Sequence, residues 1–228
     1  MNKLKNLKVL AICGSERKGG NTERLLNFVL EKLSNQGIDT ELVTLYDKKI
    51  VGCTGCVLCR PARAECVIKD DFAPIYEKML EADGIILGSP VYFGTAPAKL
   101  KALLERAGVL SEGRHGREIP INDLTWPDGK GPGLFQRKLG AAIVSTRRTG
   151  ANFTLAELVM WFLISNFIVV SGSYWTVAIG TKRVAARKVG DKVFSTHTTD
   201  QLETDKEAKH TLEDLADNFA WALKKLRA

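Results

Sequence analysis

Short, continuous apolar runs alternate along the chain with longer segments whose apolar residues recur at helical spacing. The short runs show little polar alternation, which is typical of parallel strands covered on both faces. The longer segments each carry one apolar stripe, as amphipathic helices do. The five predicted strands are residues 9–13, 40–45, 84–88, 139–145 and 168–174. The five predicted helices are residues 21–33, 72–81, 96–107, 153–167 and 203–226.

Strands and helices follow one another in strict alternation. This order predicts a doubly wound parallel sheet with right-handed crossovers, in a single domain of residues 1–228. The helix at 153–167 is apolar enough to be buried on more than one side. Two segments depart from the pattern. Residues from about 110 to 137 are rich in Gly, Pro and charge and are predicted to be an insertion, whereas residues from about 181 to 199 are predicted to be basic and irregular.

Charge and composition narrow the range of partners. The 228-residue chain has a net charge of +7, which favours anionic ligands such as phosphorylated cofactors. Its basic residues are scattered and no nucleic-acid-reading motif is present, so nucleic acid is not an expected partner. The apolar stretch at 155–170 contains Glu157, Ser165 and Asn166, so no membrane span is predicted. No signal-peptide core precedes the first strand, and we expect a cytoplasmic protein.

The turn between the first strand and the first helix has the composition of a phosphate-binding loop. Its backbone N–H groups and the helix N-terminus attract anions. Ser15 and Thr22 offer hydroxyls, and Arg17 offers a charged fork. Gly20 lets the backbone come close to a ligand, and Asn21 is a suitable helix N-cap. The spacing matches neither G-x-G-x-x-G nor a nucleotide triphosphatase loop, and the alternative is a plain Gly-rich turn.

The loop after the third strand combines backbone donors with flat and apolar side chains. In a doubly wound sheet this loop lies beside the phosphate loop, across the switch point of the strand order. A flat ring bound there needs N–H groups for its polar edge and apolar groups for its faces. The alternative is a tight turn with an aromatic plug for the core. The candidate ring contacts are Pro90, Val91, Tyr92, Phe93 and Gly94.

Together, the two loops and the helix after the second of them resemble the NADPH-dependent FMN reductase family of the flavodoxin-like superfamily. The sequences that carry the resemblance are GSERKGGNT and SPVYFGTAPAKLKALLER. The segment VSTRRTG, followed by ANFTL, is similar to that family's fourth-strand loop and helix. The resemblance implies a flavodoxin-like doubly wound five-stranded parallel sheet with helices on both faces. It implies that Ser15, Arg17, Asn21 and Thr22 bind the FMN phosphate. It also implies ring contacts at residues 90–94, flanked by Thr146 and Gly150.

Four of the five cysteines crowd into one short segment, as Cys53, Cys56, Cys59 and Cys66. In a cytosolic protein such crowding favours metal or redox chemistry over structural disulfides. A 4Fe–4S cluster takes four thiolates from compact loops, and zinc accepts the same ligands. Reduced thiols that bind nothing are the third alternative. The spacing is similar to that of the iron–sulfur flavoproteins, a branch of the same superfamily, and this resemblance implies that all four cysteines are cluster ligands.

No side chain is predicted to act as a catalytic acid or base, because a flavin carries its own chemistry. His115, His197 and His210 are scattered and lack ligand spacing. Asp70 and Asp71 precede the second predicted helix, and negative charge at that position stabilises a helix N-terminus.

Two function classes follow from the resemblance. The first is an FMN-dependent oxidoreductase that passes hydride or electrons from NAD(P)H to a small-molecule or protein acceptor. The alternative is an electron carrier whose 4Fe–4S cluster takes electrons from a ferredoxin-like donor, and a weaker third is a flavin sensor. We expect a homodimer or a homotetramer.

Overall fold

The computed structural model describes residues 6–56, 58–59, 65–113, 133–180, 183–197 and 199–227. The strands of the main sheet are β1 (Lys8–Cys13), β2 (Asp39–Thr44), β3 (Gly84–Pro90), β4 (Leu139–Thr146), β5 (Ile168–Val169) and β6 (Val177–Ile179). A separate hairpin is formed by β7 (Arg183–Val189) and β8 (Lys192–His197). The helices are α1 (Asn21–Ser34), α2 (Phe72–Glu81), α3 (Ala98–Gly113), α4 (Ala151–Ile164), α5 (Gln201–Thr204) and α6 (Lys206–Arg227).

The main sheet has the strand order β2-β1-β3-β4-β5, and each neighbouring pair is parallel. This confirms the predicted doubly wound topology. The strand order changes direction at β1, since the chain adds β2 on one side of it and β3 on the other. Val9 pairs with Gly84 and Ile12 pairs with Leu87, so β1 and β3 end at the same edge. The loops after these two strands therefore meet at the switch point.

Helices cover both faces of the sheet, as predicted. Alternate residues of each central strand point to opposite faces. Leu10 and Ile12 of β1 pack with α2, α3 and α4, while Val9 and Ala11 pack with α1 and α6. Cys13 also belongs to the α1 and α6 side, where burial raises the pKa of its thiol to about 11. It is a core residue, separate from the other cysteines.

The fifth strand is not the continuous strand that the sequence predicts over 168–174. β4 pairs Gly140 with Val169 and Val144 with Val177, so an advance of four residues along β4 corresponds to an advance of eight along the partner segment. The excess residues loop out of the sheet. A Cβ on Gly172 would lie 2.2 Å from the carbonyl oxygen of Thr211, because the loop passes directly against α6. Contact with α6, rather than local propensity, divides this strand.

The basic segment predicted to be irregular forms an antiparallel hairpin instead. β7 and β8 pair from Arg183 with His197 to Val189 with Lys192. Gly190 and Asp191 make the two-residue turn, and Gly190 has a φ of +58°. A Gly-Asp pair between short β-prone segments is a recognised hairpin signal, which the basic composition of the segment obscured.

The predicted insertion lies largely outside the described residues, between 114 and 132. Its last part is anchored in the core by Phe135, which is fully buried. The ring centroid of Phe135 lies 6.0 Å from Tyr76 and 5.3 Å from Phe167. Aromatic pairs at these distances fix the point at which the chain re-enters the sheet.

One face of α4 is exposed in the single chain, contrary to the predicted burial on more than one side. Leu155, Leu158 and Phe162 are buried against the sheet, but the other face carries large apolar groups in solvent. The exposed residues are Phe153, Met160, Leu163 and Ile164. The predicted homodimer or homotetramer stays a prediction. Among the helices of the described part of the chain, none is both long and apolar enough to cross a membrane.

Candidate functional site

The predicted phosphate loop places two hydroxyl groups under a short turn. Ser15 and Thr22 are both buried, and the Ser15 hydroxyl accepts a hydrogen bond of 3.1 Å from the Arg17 N–H. Gly19 has a φ of +66°, which an L side chain rarely adopts. Gly20 is the N-cap of α1, so the prediction of Asn21 as N-cap is wrong by one residue. The extended backbone of Gly20 suits the cap position without a side-chain acceptor.

The phosphate loop is joined directly to the end of β3. The Gly14 N–H donates to the Gly88 carbonyl over 2.8 Å. A Cβ on Gly14 would lie 2.7 Å from Cδ2 of Leu100, so only glycine lets α3 come this close. The two predicted cofactor loops therefore share one edge of the sheet, as the topology requires.

The loop after β3 turns back on itself through an unusual aromatic residue. Tyr92 and Thr95 exchange both of their backbone hydrogen bonds, at 2.9 and 3.2 Å. Phe93 and Gly94 between them have φ values of +49° and +87°, the pattern of a type I′ turn. A phenylalanine with positive φ is strained, and such strain clusters at functional sites. Phe93 is fully exposed to solvent, so its ring does not fill the core, which was the alternative that the sequence allowed.

The loop after β4 packs against this turn. Gly150 has a φ of +86°, and a Cβ there would lie 2.9 Å from Cγ1 of Val91 and 3.1 Å from Cα of Gly94. The Val91 N–H donates to the Ser145 carbonyl over 3.1 Å. Thr146 is buried, and its hydroxyl donates to the Thr149 carbonyl over 2.9 Å. The two predicted ring-binding segments are thus in contact.

All four clustered cysteines line one cavity of about 110 Å³, beside α3. Cys53 and Cys56 are exposed, Cys59 and Cys66 are half-buried, and all four are free thiols. Within the described residues, no three Cys, His, Asp or Glu side chains are arranged to hold a metal ion. The structure therefore brings the predicted ligands together around one space without placing their sulfur atoms in a closed coordination shell.

The surroundings of these thiols shift their pKa values in different directions. Burial raises the pKa of Cys59, and the neighbouring Cys66, Cys53 and Cys56 raise it further because nearby negative charges disfavour another thiolate. The Leu58 N–H and the Thr54 hydroxyl lower the pKa of Cys56. Cys56 is therefore more readily ionised than Cys59.

Arg106 of α3 holds the cysteine segment to the core, a role that no sequence motif predicted. Its side chain is 2% exposed, and its guanidinium donates to Oδ2 of Asp70 over 2.6 Å. It also donates to Sγ of Cys66 over 3.2 Å and to the carbonyls of Val51 and Ile68. Asp70 is thus more than the helix-terminal charge that was predicted, although its Oδ1 does accept the Phe72 N–H.

A sequence profile of the NADPH-dependent FMN reductase family matches residues 7–182, which include both cofactor loops and the cysteine segment. The chain belongs to the NADPH-dependent FMN reductase family. It is therefore an oxidoreductase of an FMN-binding, flavodoxin-like family, as the sequence motifs implied. The match confirms the predicted family, while the roles of individual residues stay predictions.

Two relatives of this chain share substantial identity with it over most of their length. An iron–sulfur flavoprotein of Methanocaldococcus jannaschii is 37% identical over 176 residues, which are 76% of this chain and 81% of the relative. An iron–sulfur flavoprotein of Methanosarcina thermophila is 33% identical over 199 residues, which are 81% of this chain and 94% of the relative. The predicted resemblance to proteins of that name is confirmed.

Solved structures confirm the flavodoxin-like fold. An archaeal flavodoxin superposes with a TM-score of 0.54 at 14% identity, covering 96% of this chain and 99% of the flavodoxin. RosB, solved with 8-demethyl-8-formylriboflavin-5′-phosphate, superposes with a TM-score of 0.63 at 15% identity, covering 97% of this chain and 80% of RosB.

The residues of this family member fit both groups that its relatives suggest. For FMN, the buried hydroxyls of Ser15 and Thr22 lie at a helix N-terminus that favours a phosphate. For an iron–sulfur cluster, the four thiols that line one cavity are the ligand type such a cluster takes, and Arg106 donates a hydrogen bond to Sγ of Cys66. Four thiols alone do not separate iron–sulfur from zinc.

Sequence reasoning missed two other residues that shape the flavin site. Glu157 of α4 accepts hydrogen bonds from the Thr95 hydroxyl and, over 3.2 Å, from the Ala96 N–H, and so holds the turn to α4. Gln201 contacts the loop after β4 from outside the sheet. Neither has a local motif. Glu157 stood out only as a charge within an apolar helix, which is a usable signal.

Proposed function

We propose that this protein is an NAD(P)H-dependent FMN reductase-like oxidoreductase that passes hydride or electrons through bound FMN to an acceptor. The observation that carries the proposal is the strained, exposed Phe93 turn, packed on Gly150 beside the phosphate loop. Strain that is held by neighbouring contacts, rather than relieved, favours a binding function for this edge of the sheet.

Bound FMN supplies the hydride and one-electron chemistry, and the chain supplies position and charge. Ser15, Thr22 and the loop N–H groups hold the phosphate, and Arg17 adds a charge-assisted hydrogen bond. Tyr92 and Phe93 cover the ring system, and the contact between Gly150 and Val91 keeps the two ring-binding loops in register. Arg147 and Arg148, exposed at the same edge, favour the approach of an anionic pyridine nucleotide.

Anaerobic mixing of the FMN-loaded protein with NADPH or NADH tests the reductase function. We expect at least one of the two nucleotides to bleach the flavin absorbance, because hydride transfer reduces the ring. Dithionite serves as the control, since it reduces any accessible flavin. If dithionite bleaches the protein and neither nucleotide does, the reductase function is wrong.

The second candidate function is electron transfer through a 4Fe–4S cluster held by Cys53, Cys56, Cys59 and Cys66. It is supported by the shared cavity of the four thiols and by the iron–sulfur flavoprotein names of the relatives. A ferredoxin-like protein is the electron donor in this scheme. Zinc, or thiols that bind nothing, are the remaining alternatives.

The segment that leads from β2 to Cys53 begins beside the phosphate loop, so the topology favours placing the two sites at the same edge of the sheet. The Leu45 N–H donates to the Cys13 carbonyl over 3.0 Å, at the shared edge of β1 and β2. Nζ of Lys99 then joins the Leu45 carbonyl, over 2.8 Å, to Oε2 of Glu16, over 2.9 Å. Glu16 belongs to the phosphate loop, so these hydrogen bonds hold the chain that follows β2 beside that loop.

Reconstitution with iron and sulfide under anaerobic conditions tests the cluster. We expect the wild-type protein to take up about four irons per chain, as the ligand count requires. Cys56→Ala should abolish this uptake, because it leaves three of the four thiolates that the cluster requires. Cys13→Ala is the matched control and should take up the same iron as the wild type, since Cys13 lies in the core. Equal uptake by the wild type and Cys56→Ala would contradict the cluster.

A further inference from the structure

Gln201, the first residue of α5, links the end of β4 to the start of α1, beside the two loops of the candidate flavin site. Its side chain is fully buried, with 0% exposure. Nε2 of its amide donates to the Thr146 carbonyl over 2.8 Å, and its Oε1 accepts the Ser145 hydroxyl over 2.7 Å. Its backbone N–H donates to Oδ1 of Asn21 over 3.3 Å. One residue therefore contacts the end of β4 and the start of α1.

The contacts at the end of β4 form a junction of three segments. The Ser145 carbonyl accepts the Val91 N–H over 3.1 Å, and the Thr146 carbonyl accepts the Gly180 N–H over 3.1 Å. Gln201 adds the third segment. A buried amide is costly unless both of its ends are hydrogen-bonded, and here both ends bond to the strand that leads into the ring-binding loop. The position of this loop thus depends on the amide.

Residues 199–205 are clamped against α1 and β6 by further polar contacts. The Arg24 guanidinium donates to the Thr199 carbonyl and pairs with Glu203. The Ile179 N–H donates to Oδ2 of Asp205 over 2.8 Å. All of residues 199–205 lie beyond residues 7–182, the part that the family profile matches. Residues 199–205 are therefore held to the sheet and to α1 although the family profile does not extend to them.

We propose that Gln201 is a positioning residue for FMN, whose side-chain amide holds the end of β4 and thereby the ring-binding loop that follows it. It acts through Ser145 and Thr146, while its backbone N–H anchors it to Asn21, and it does not itself touch the cofactor. The inference deepens the proposed function and rests on FMN as the ligand of these loops.

Flavin titrations of the apoprotein test this role, with FMN and riboflavin as the two probes. Gln201→Met keeps the approximate volume but removes both side-chain hydrogen bonds. We expect its dissociation constants for both flavins to rise about tenfold, because the loop that contacts the ring is released. Arg17→Ala should raise the constant about ten- to a hundredfold for FMN and leave riboflavin within about twofold, since riboflavin lacks the phosphate.

Thr204→Val is the matched control in the same short helix. The Thr204 hydroxyl donates to the Asp200 carbonyl and contacts neither loop, so both flavins should bind within about twofold of wild type. Every titration is made at a temperature at which all apoproteins are folded, which circular dichroism establishes. A purely structural role would then lower the melting temperature of Gln201→Met without changing either constant, and this outcome would overturn the inference. Failure of the wild type to bind FMN would instead overturn the proposed function.

Discussion

Replacing Arg106 by alanine is expected to destabilise the folded protein by about 3–5 kcal/mol, because it leaves a buried carboxylate without its partner. The side chains of Arg106 and Asp70 are 2% and 6% exposed, so water cannot replace the lost ion pair. The Arg106 guanidinium also lies 4.1 Å from the ring centroid of Phe72, and that contact is lost as well. Urea denaturation measures the difference in free energy of unfolding.

The same replacement releases both ends of the cysteine segment. The carbonyls of Val51 and Ile68 lose their donor, and Sγ of Cys66 loses its hydrogen bond. Arg106→Lys is the matched control. Lysine keeps the positive charge but cannot donate all of the guanidinium's hydrogen bonds, so we expect a loss of stability that is smaller than for alanine. A loss below about 1 kcal/mol for Arg106→Ala would show that the pair is not buried as described.

The ion pair also makes the stability of the wild-type protein fall at acid pH. Burial opposes ionisation of Asp70, but hydrogen bonds from Arg106 and from the N–H groups of Val51 and Phe72 outweigh it, and the pKa is lowered. A group whose pKa is lower in the folded state stabilises the protein above its unfolded pKa, about 3.9 for Asp. This stabilisation is lost as the pH falls through the folded pKa. In Asp70→Asn, that part of the acid dependence should be absent.

Gly150→Ala is expected to cost about 2–5 kcal/mol, the sum of left-handed backbone strain and a clash between loops. A Cβ there would lie 2.9 Å from Cγ1 of Val91 and 3.1 Å from Cα of Gly94, so one loop has to move. Gly94→Ala is the matched control, since its φ of +87° is almost the same as +86° at Gly150, but a Cβ there would have no neighbour within 4 Å.

The two variants separate strain from packing. Gly94→Ala should cost only about 1–2 kcal/mol, the usual penalty for the left-handed conformation. The excess in Gly150→Ala measures how firmly the loops after β3 and β4 hold each other, and thermal unfolding of the apoproteins gives both values. Equal losses would mean that the loops separate easily, and the geometry of the proposed flavin site would then need revision.

Much of the fold could be predicted because its signals are local. Continuous apolar runs identified β1, β3 and β4, and the alternation of elements then left a doubly wound sheet as the expected topology. The phosphate loop was recognisable because hydroxyl, glycine and basic residues follow one another at a strand end. The grouping of the four cysteines around one cavity could be predicted because thiols in one short segment stay close in space, while the group that they bind stays a prediction.

Other features were decided by contacts between distant parts of the chain. The fifth strand is divided because Gly172 meets Thr211 of α6, and no local pattern carries that contact. Arg106 and Asp70 are 36 residues apart in sequence, and Gln201 and Asn21 are 180 apart. A helix sequence shows which residues share a face, but it does not show which buried charge or amide lies opposite. That pairing exists only once the sheet has brought the carboxyl ends of its strands to one edge, where groups from separate segments must satisfy one another's hydrogen bonds.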